Sequence, residues 1–173
     1  MVYNTILITT DGSENARKAV QSGIDLASAC GSKVYALYVM EMNPGGLTRE
    51  AIHRDWKTAM QVSLPEHISP AQWREFAKIA DENWRIERKK HLEEKAENIL
   101  SYVEELGKNK GVDVEKVHIE GKPANEVLDF ASDKNVDLIV MGTLGMGSDG
   151  TFRLGRVAER VIHNASCDVM SVR

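Results

Sequence analysis

The chain has 173 residues, 42% of them apolar and 28% charged, the make-up of a folded domain rather than a disordered or fibrous chain. Its 22 basic and 26 acidic side chains leave a net charge of −4, which presents no long-range attraction to a polyanion and excludes sequence-independent nucleic-acid binding. No apolar run reaches the roughly 18 residues of a membrane span, and the start MVYNTILITTDGSE lacks a basic region and a small-residue cleavage site, so a cytoplasmic protein without a membrane partner is expected.

Strand-like runs alternate with helical periods along the chain. Residues 3–10 carry Ile6, Leu7 and Ile8 in succession, as in a parallel strand covered on both faces. Asp11, Gly12 and Ser13 end it. Ala16, Ala19, Val20, Gly23, Ile24 and Ala27 then form one helical stripe, with Ser13 as N-cap and Gly31 as the stop. Residues 33–40 read as a second strand.

Residues 41–83 exceed the needs of a minimal crossover and read as an insertion within one domain spanning 1–173. Ser69-Pro70-Ala71-Gln72 has the pattern of a capping box with proline first in the helix. Trp73, Phe76, Ala77, Ala80 and Trp84 continue at helical spacing, and Leu92, Ala96, Ile99, Leu100, Val103 and Leu106 extend it. Whether the helix breaks near Asp81 is open at this level. The insertion region holds Trp56, Trp73 and Trp84, each able to bury roughly 200 Å², which suits an added small core better than a lid or a subunit interface.

A third strand, 112–120, leads through Gly121 to a helix starting at Pro123 with the stripe Ala124, Val127, Leu128 and Ala131. Residues 136–141 form a fourth strand. Val157, Ala158, Val161 and Ile162 mark a last helix, and 167–172 a closing strand. The sum is an α/β, doubly wound five-stranded parallel sheet with helices on both faces and a helical insertion after the second strand. Cys30 and Cys167 are too few for a disulfide framework or a four-ligand zinc site and read as buried free thiols.

Ligands of such sheets sit beyond the carboxyl ends of the strands. Two segments lie there. Asp11 follows the first strand and can accept hydrogen bonds from a base amine or a ribose hydroxyl, or serve as a helix cap. Residues 142–156 leave the fourth strand rich in glycine and enter a helix, an arrangement suited to phosphate, with Arg153 and Arg156 as possible partners. A flexible loop is the plainer reading of the same residues. Asp149 reads as a solvated loop residue before it reads as a metal ligand.

Gly142, Gly145 and Gly155 have the spacing G-2X-G-9X-G, and Asp11, Val39, Gly121-x-Pro123-Ala124 and Val157-Ala158-Glu159-x-Val161 accompany them. In these residues the chain resembles the universal stress protein family of the adenine-nucleotide α-hydrolase-like group, over nearly its whole length outside the insertion. The resemblance implies a Rossmann-like sheet that binds ATP or AMP through Thr9, Thr10, Asp11, Val39, Met141, Gly142, Gly145, Gly155, Arg156 and Val157. Asp11 and the Val39 backbone would hold adenine, Gly142 would lie against ribose, and amides near Gly145, Gly155 and Val157 would hold phosphates. Mg²⁺ or Mn²⁺ would be bound through the phosphates, with no protein metal site. It also implies a homodimer paired through the closing strand, although Asp168 stands where the family often has proline. Arg156 replaces the family's Ser or Thr, and either supplies a bidentate phosphate contact or fills the pocket.

Other motifs are absent. There is no G-x-x-x-x-G-K-[ST] and no G-x-S-x-G. Among His53, His67, His91, His118 and His163 no two stand three or four residues apart. Neither H-x-G-H nor S-G-G-x-D-S occurs, so no catalytic residue is assigned and hydrolysis is at most slow. The expected function is a nucleotide-dependent stress-response sensor or regulator; the alternative is a nucleotide-free dimeric interaction scaffold of the same family.

Overall fold

In a computed structural model, residues 3–42, 69–144 and 154–173 are described. Five strands, β1 (Thr5–Thr9), β2 (Lys33–Met40), β3 (Val114–Glu120), β4 (Leu138–Gly142) and β5 (Asp168–Val172), form one sheet. All pairings are parallel, in the order β3-β2-β1-β4-β5. The helices among the described residues are α1 (Glu14–Cys30), α2 (Pro70–Lys110), α3 (Pro123–Asp133) and α4 (Arg156–Asn164). From β1 the chain steps to β2 and β3, then returns through α3 to β4 on the other side of β1. The order therefore reverses between β1 and β4, where the carboxyl ends of the two strands diverge.

Strand parity divides the core. Ile6 and Ile8 are fully buried, and Ile8 meets α1 at Gly23. Leu7, Tyr35, Leu37, Ile139 and Met141 join Ala124, Val127, Ala131, Ala158 and Val161 in a cluster beneath α3 and α4. Burial of each large aliphatic side chain contributes about 1.5–3 kcal/mol, which fixes the register: a slip of one residue would turn this set to the wrong face.

Strands β3 and β4 each start two residues later than the apolar runs suggest, whereas β2 starts at Lys33 as expected, and the helix ends before them account for all three starts. The N–H groups of Ser32, Val112 and Val136 return to the carbonyls of Ala27, Gly107 and Ala131, five residues back. They end α1, α2 and α3 instead of joining the ladder. Each follows a left-handed residue: Gly31 at φ 71°, Gly111 at φ 69° and Asn135 at φ 49°. Val112 and Val136 are buried because they plug the helix ends.

The chain divides into two compact units, one of Met1–Glu41 with Glu93–Arg173, the other Met42–Leu92. Helix α2 runs without interruption through Asp81; no glycine or proline falls between Pro70 and Gly107 to break it. In the second unit, Arg88 Nε donates to the Met42 carbonyl at 2.8 Å and its guanidinium lies 5.5 Å from the ring of the half-buried Trp84. Trp56 and the side chain of Trp73 lie outside the described residues. Cys30 and Cys167 are free but half-buried, a correction to the buried thiols expected from composition. Each stands at an element end, where cover is incomplete. Burial nevertheless raises the Cys167 thiol above its ordinary pKa.

Candidate functional site

The β1 end is a turn stabilised by its own side chains. Thr10 is buried; its N–H donates to the Leu37 carbonyl at 3.1 Å, and its Oγ1 accepts from the Gly12 N–H at 3.2 Å. Asp11 Oδ1 accepts from the Ser13 N–H at 2.9 Å, and Ser13 Oγ accepts from the Ala16 N–H at 3.2 Å. Ser13 is thus the cap of α1, and Asp11 orders the residue before the helix. Thr9 ends β1 opposite Leu37. On the neighbouring strand Val39 lies two residues beyond that pairing and packs its side chain against the cluster under α3 and α4, which leaves its backbone as the part facing the strand ends.

The β4 end approaches this turn closely. A β-carbon built on Gly142 would stand 3.1 Å from both Ala16 N and Asn15 C, a tight contact with backbone, so glycine lets the strand end sit directly against the first turn of α1. The Met141 side chain is buried in the core, again leaving backbone for any ligand. Thr143, next along the chain, is buried; its N–H and Oγ1 both donate to the Val172 carbonyl, at 2.9 and 3.2 Å. Its own carbonyl accepts from the Gly155 N–H at 2.8 Å. Thr143 and Gly155 therefore meet beside the end of β4.

From that point α4 begins. Gly155 is its N-cap, in extended conformation, with no side-chain cap bond. Arg156 and Val157 open the helix and are exposed. The positive end of α4 and the capped start of α1 thus share the carboxyl end of the sheet. Of the ten residues expected here, Thr9, Thr10, Asp11, Val39, Met141, Gly142, Gly155, Arg156 and Val157 belong to these strand ends or to the start of α4. Gly145, together with Asp149 and Arg153, lies outside the described residues. Thr143 was not singled out from sequence, although a hydroxyl directly after a strand-ending glycine is a usable signal. Among the described residues no three His, Cys, Asp or Glu side chains cluster as metal ligands, and no helix is long and apolar enough to cross a membrane.

A parallel sheet reversing at β1 and β4, with an acidic turn on one strand end and a glycine-closed loop on the other, defines an α/β protein of the Rossmann-like class. The chain belongs to the universal stress protein family, whose model matches residues 2–173. It is 33% identical over 172 residues to universal stress protein MJ0531 of Methanocaldococcus jannaschii, covering 99% of this chain and 83% of that one. Among solved structures, the hypothetical protein MJ0577 superposes with a TM-score of 0.71 at 24% identity, over 99% and 96% of the two chains. A universal stress protein in complex with cAMP gives 0.60 at 20% identity, over 100% and 98%. One from Archaeoglobus fulgidus in complex with dAMP gives 0.58 at 19% identity, over the whole of both chains.

Proposed function

We propose that this universal stress protein binds an adenine nucleotide, ATP or AMP, across the β1 and β4 ends and acts as a nucleotide-dependent sensor or regulator. The observation that carries the reading is the Gly155 to Thr143 bond at 2.8 Å, which brings the start of α4, without a side-chain cap bond, back to the β4 end that lies against the first turn of α1. Backbone N–H groups at a helix start favour phosphate, and Asp11 offers a carboxylate to the base or sugar. The cAMP and dAMP complexes of related folds support the same ligand class. Mg²⁺ or Mn²⁺ enters with a polyphosphate, held by its oxygens. The exposure of Arg156 favours a cation reaching an anion from solvent over one filling the pocket.

Titration calorimetry with ATP and AMP, with and without Mg²⁺, tests the reading. Saturable binding below millimolar concentration is expected, and its absence for both nucleotides overturns it. Arg156→Ser adds a direct check: weaker ATP binding is expected, whereas binding that emerges only in the variant assigns the native protein to the nucleotide-free scaffold class.

The homodimer belongs to the same proposal. Among the described residues strand β5 is an edge strand, paired with β4 alone, and edges of this kind are usually covered. Asp168 at its start accepts from Tyr3 Oη at 3.0 Å, so the carboxylate has a partner within its own chain. Sedimentation at micromolar concentration is expected to give a dimer; a strict monomer refutes edge pairing.

A further inference from the structure

We infer that Ile99 of α2 is a positioning residue for the Asp11 turn, and through it for the adenine half of the site. The inference rests on the nucleotide reading above and adds the element that orients its recognition group.

The N–H groups of Gly12, Ser13 and Ala16 bond to the side chains of near neighbours, Thr10, Asp11 and Ser13, and the Thr10 N–H reaches β2. They set the shape of the turn more than its tilt over the strand ends. Packing on α2 adds a hold on the tilt. Gly12 has φ 81°, and a β-carbon built on it would stand 2.7 Å from Cδ1 and 3.0 Å from Cγ1 of Ile99. Ile99 therefore fills the space a side chain at position 12 would take. Glycine is needed there for its dihedral and for this contact.

Ile99 is the middle of a stripe. Lys95 Nζ lies 6.0 Å from the centre of the Tyr38 ring, and the Arg17 guanidinium 5.7 Å from that of Tyr102. Residues 95, 99 and 102 share one helical face. They meet the end of β2 beside Val39, the Asp11 turn, and the start of α1. These three elements frame the proposed adenine half. The phosphate half is tied differently, through Thr143 to Val172 and Gly155. Loosening Ile99 should therefore act on one half of the ligand.

Ile99→Ala removes both contacting atoms, while Ile99→Val keeps Cγ1 and guards against a variant that does not fold. Amide hydrogen exchange in ligand-free protein should be about tenfold faster at Gly12 and Ser13 in the alanine variant, with Val20 in α1 unchanged and the valine variant between. ATP affinity should fall about tenfold while that for inorganic tripolyphosphate stays as in the parent. Unchanged exchange at Gly12 and Ser13, equal acceleration at Val20, or equal loss of ATP and tripolyphosphate overturns the inference. If the parent binds ATP and the variants bind it as well as the parent, positioning fails and the nucleotide reading stands. If the parent binds no adenine nucleotide, both fall.

Discussion

Helices α1 and α4 start at the same end of the sheet, and the chain finishes them differently. At α1, three short-range bonds from Thr10, Asp11 and Ser13 satisfy the amides of Gly12, Ser13 and Ala16. At α4 the cap is a glycine with no side chain to give. One start is completed by its own sequence; the other presents its dipole to whatever anion arrives. Under the proposed function, the contrast would divide recognition into an acidic, pre-ordered half and a backbone half for phosphate.

The largest expected effect comes from removing the acidic half. Asp11→Ala should weaken ATP binding about 10–100-fold, since hydrogen bonds to a charged group contribute about 1.5–3 kcal/mol, and leave tripolyphosphate affinity undiminished. Calorimetry with both ligands checks it; equal losses would mean that the halves are not separate.

Gly142→Val tests how closely they meet. Its side chain would press on the backbone of Asn15 and Ala16, and overpacking of this kind costs about 1–3 kcal/mol. The urea midpoint should fall accordingly. An unchanged midpoint would contradict the close approach.

Swapping the caps sharpens the contrast. Ser13→Ala should cost about 1 kcal/mol, whereas Gly155→Ser should gain only a few tenths of a kcal/mol. The serine at 155 should also weaken tripolyphosphate binding, because the protein would now occupy the amide an anion needs. Urea unfolding and calorimetry of both variants read the two effects.

Much of this was legible in sequence because it is local. The strand runs, the α1 stripe, the Ser13 cap and Pro123 at the start of α3 depend on neighbours within a few residues. Asp11 and the three spaced glycines were visible for the same reason. The continuity of α2 was not, since its charged middle lacks a clean apolar stripe although nothing in it breaks a helix. Ile99 was legible only as one residue in the helical spacing of α2, because its contact with Gly12 joins segments that only the sheet order brings together. The partial exposure of Cys30 and Cys167 was hidden likewise: composition gives a residue's tendency, while position at an element end decides its cover.

A smaller effect lies away from the site. Lys116 bonds to Glu97 and lies 3.4 Å from Glu104. Its hydrogen bond lowers the Glu97 pKa; that of Glu104 is lowered first by Lys108 and then by Lys116. Both carboxyls therefore bind protons less readily folded than unfolded. Their contribution to stability is present above the ordinary glutamate range and is lost as pH falls through the lowered values. Lys116→Met should flatten the acid limb of a stability profile between pH values of about 6 and 3, read by urea unfolding. A limb as steep as the parent's would contradict the assignment.

The central claim is that one adenine nucleotide bridges the two helix starts, and backbone amide NMR during titration with ATP and Mg²⁺ tests it most directly. The account predicts saturable shifts at Gly12 and Ser13, at Val39, at Thr143 and at Arg156 to Ala158, all with one dissociation constant below millimolar. Shifts confined to other faces of the sheet, or none that saturate, would contradict it.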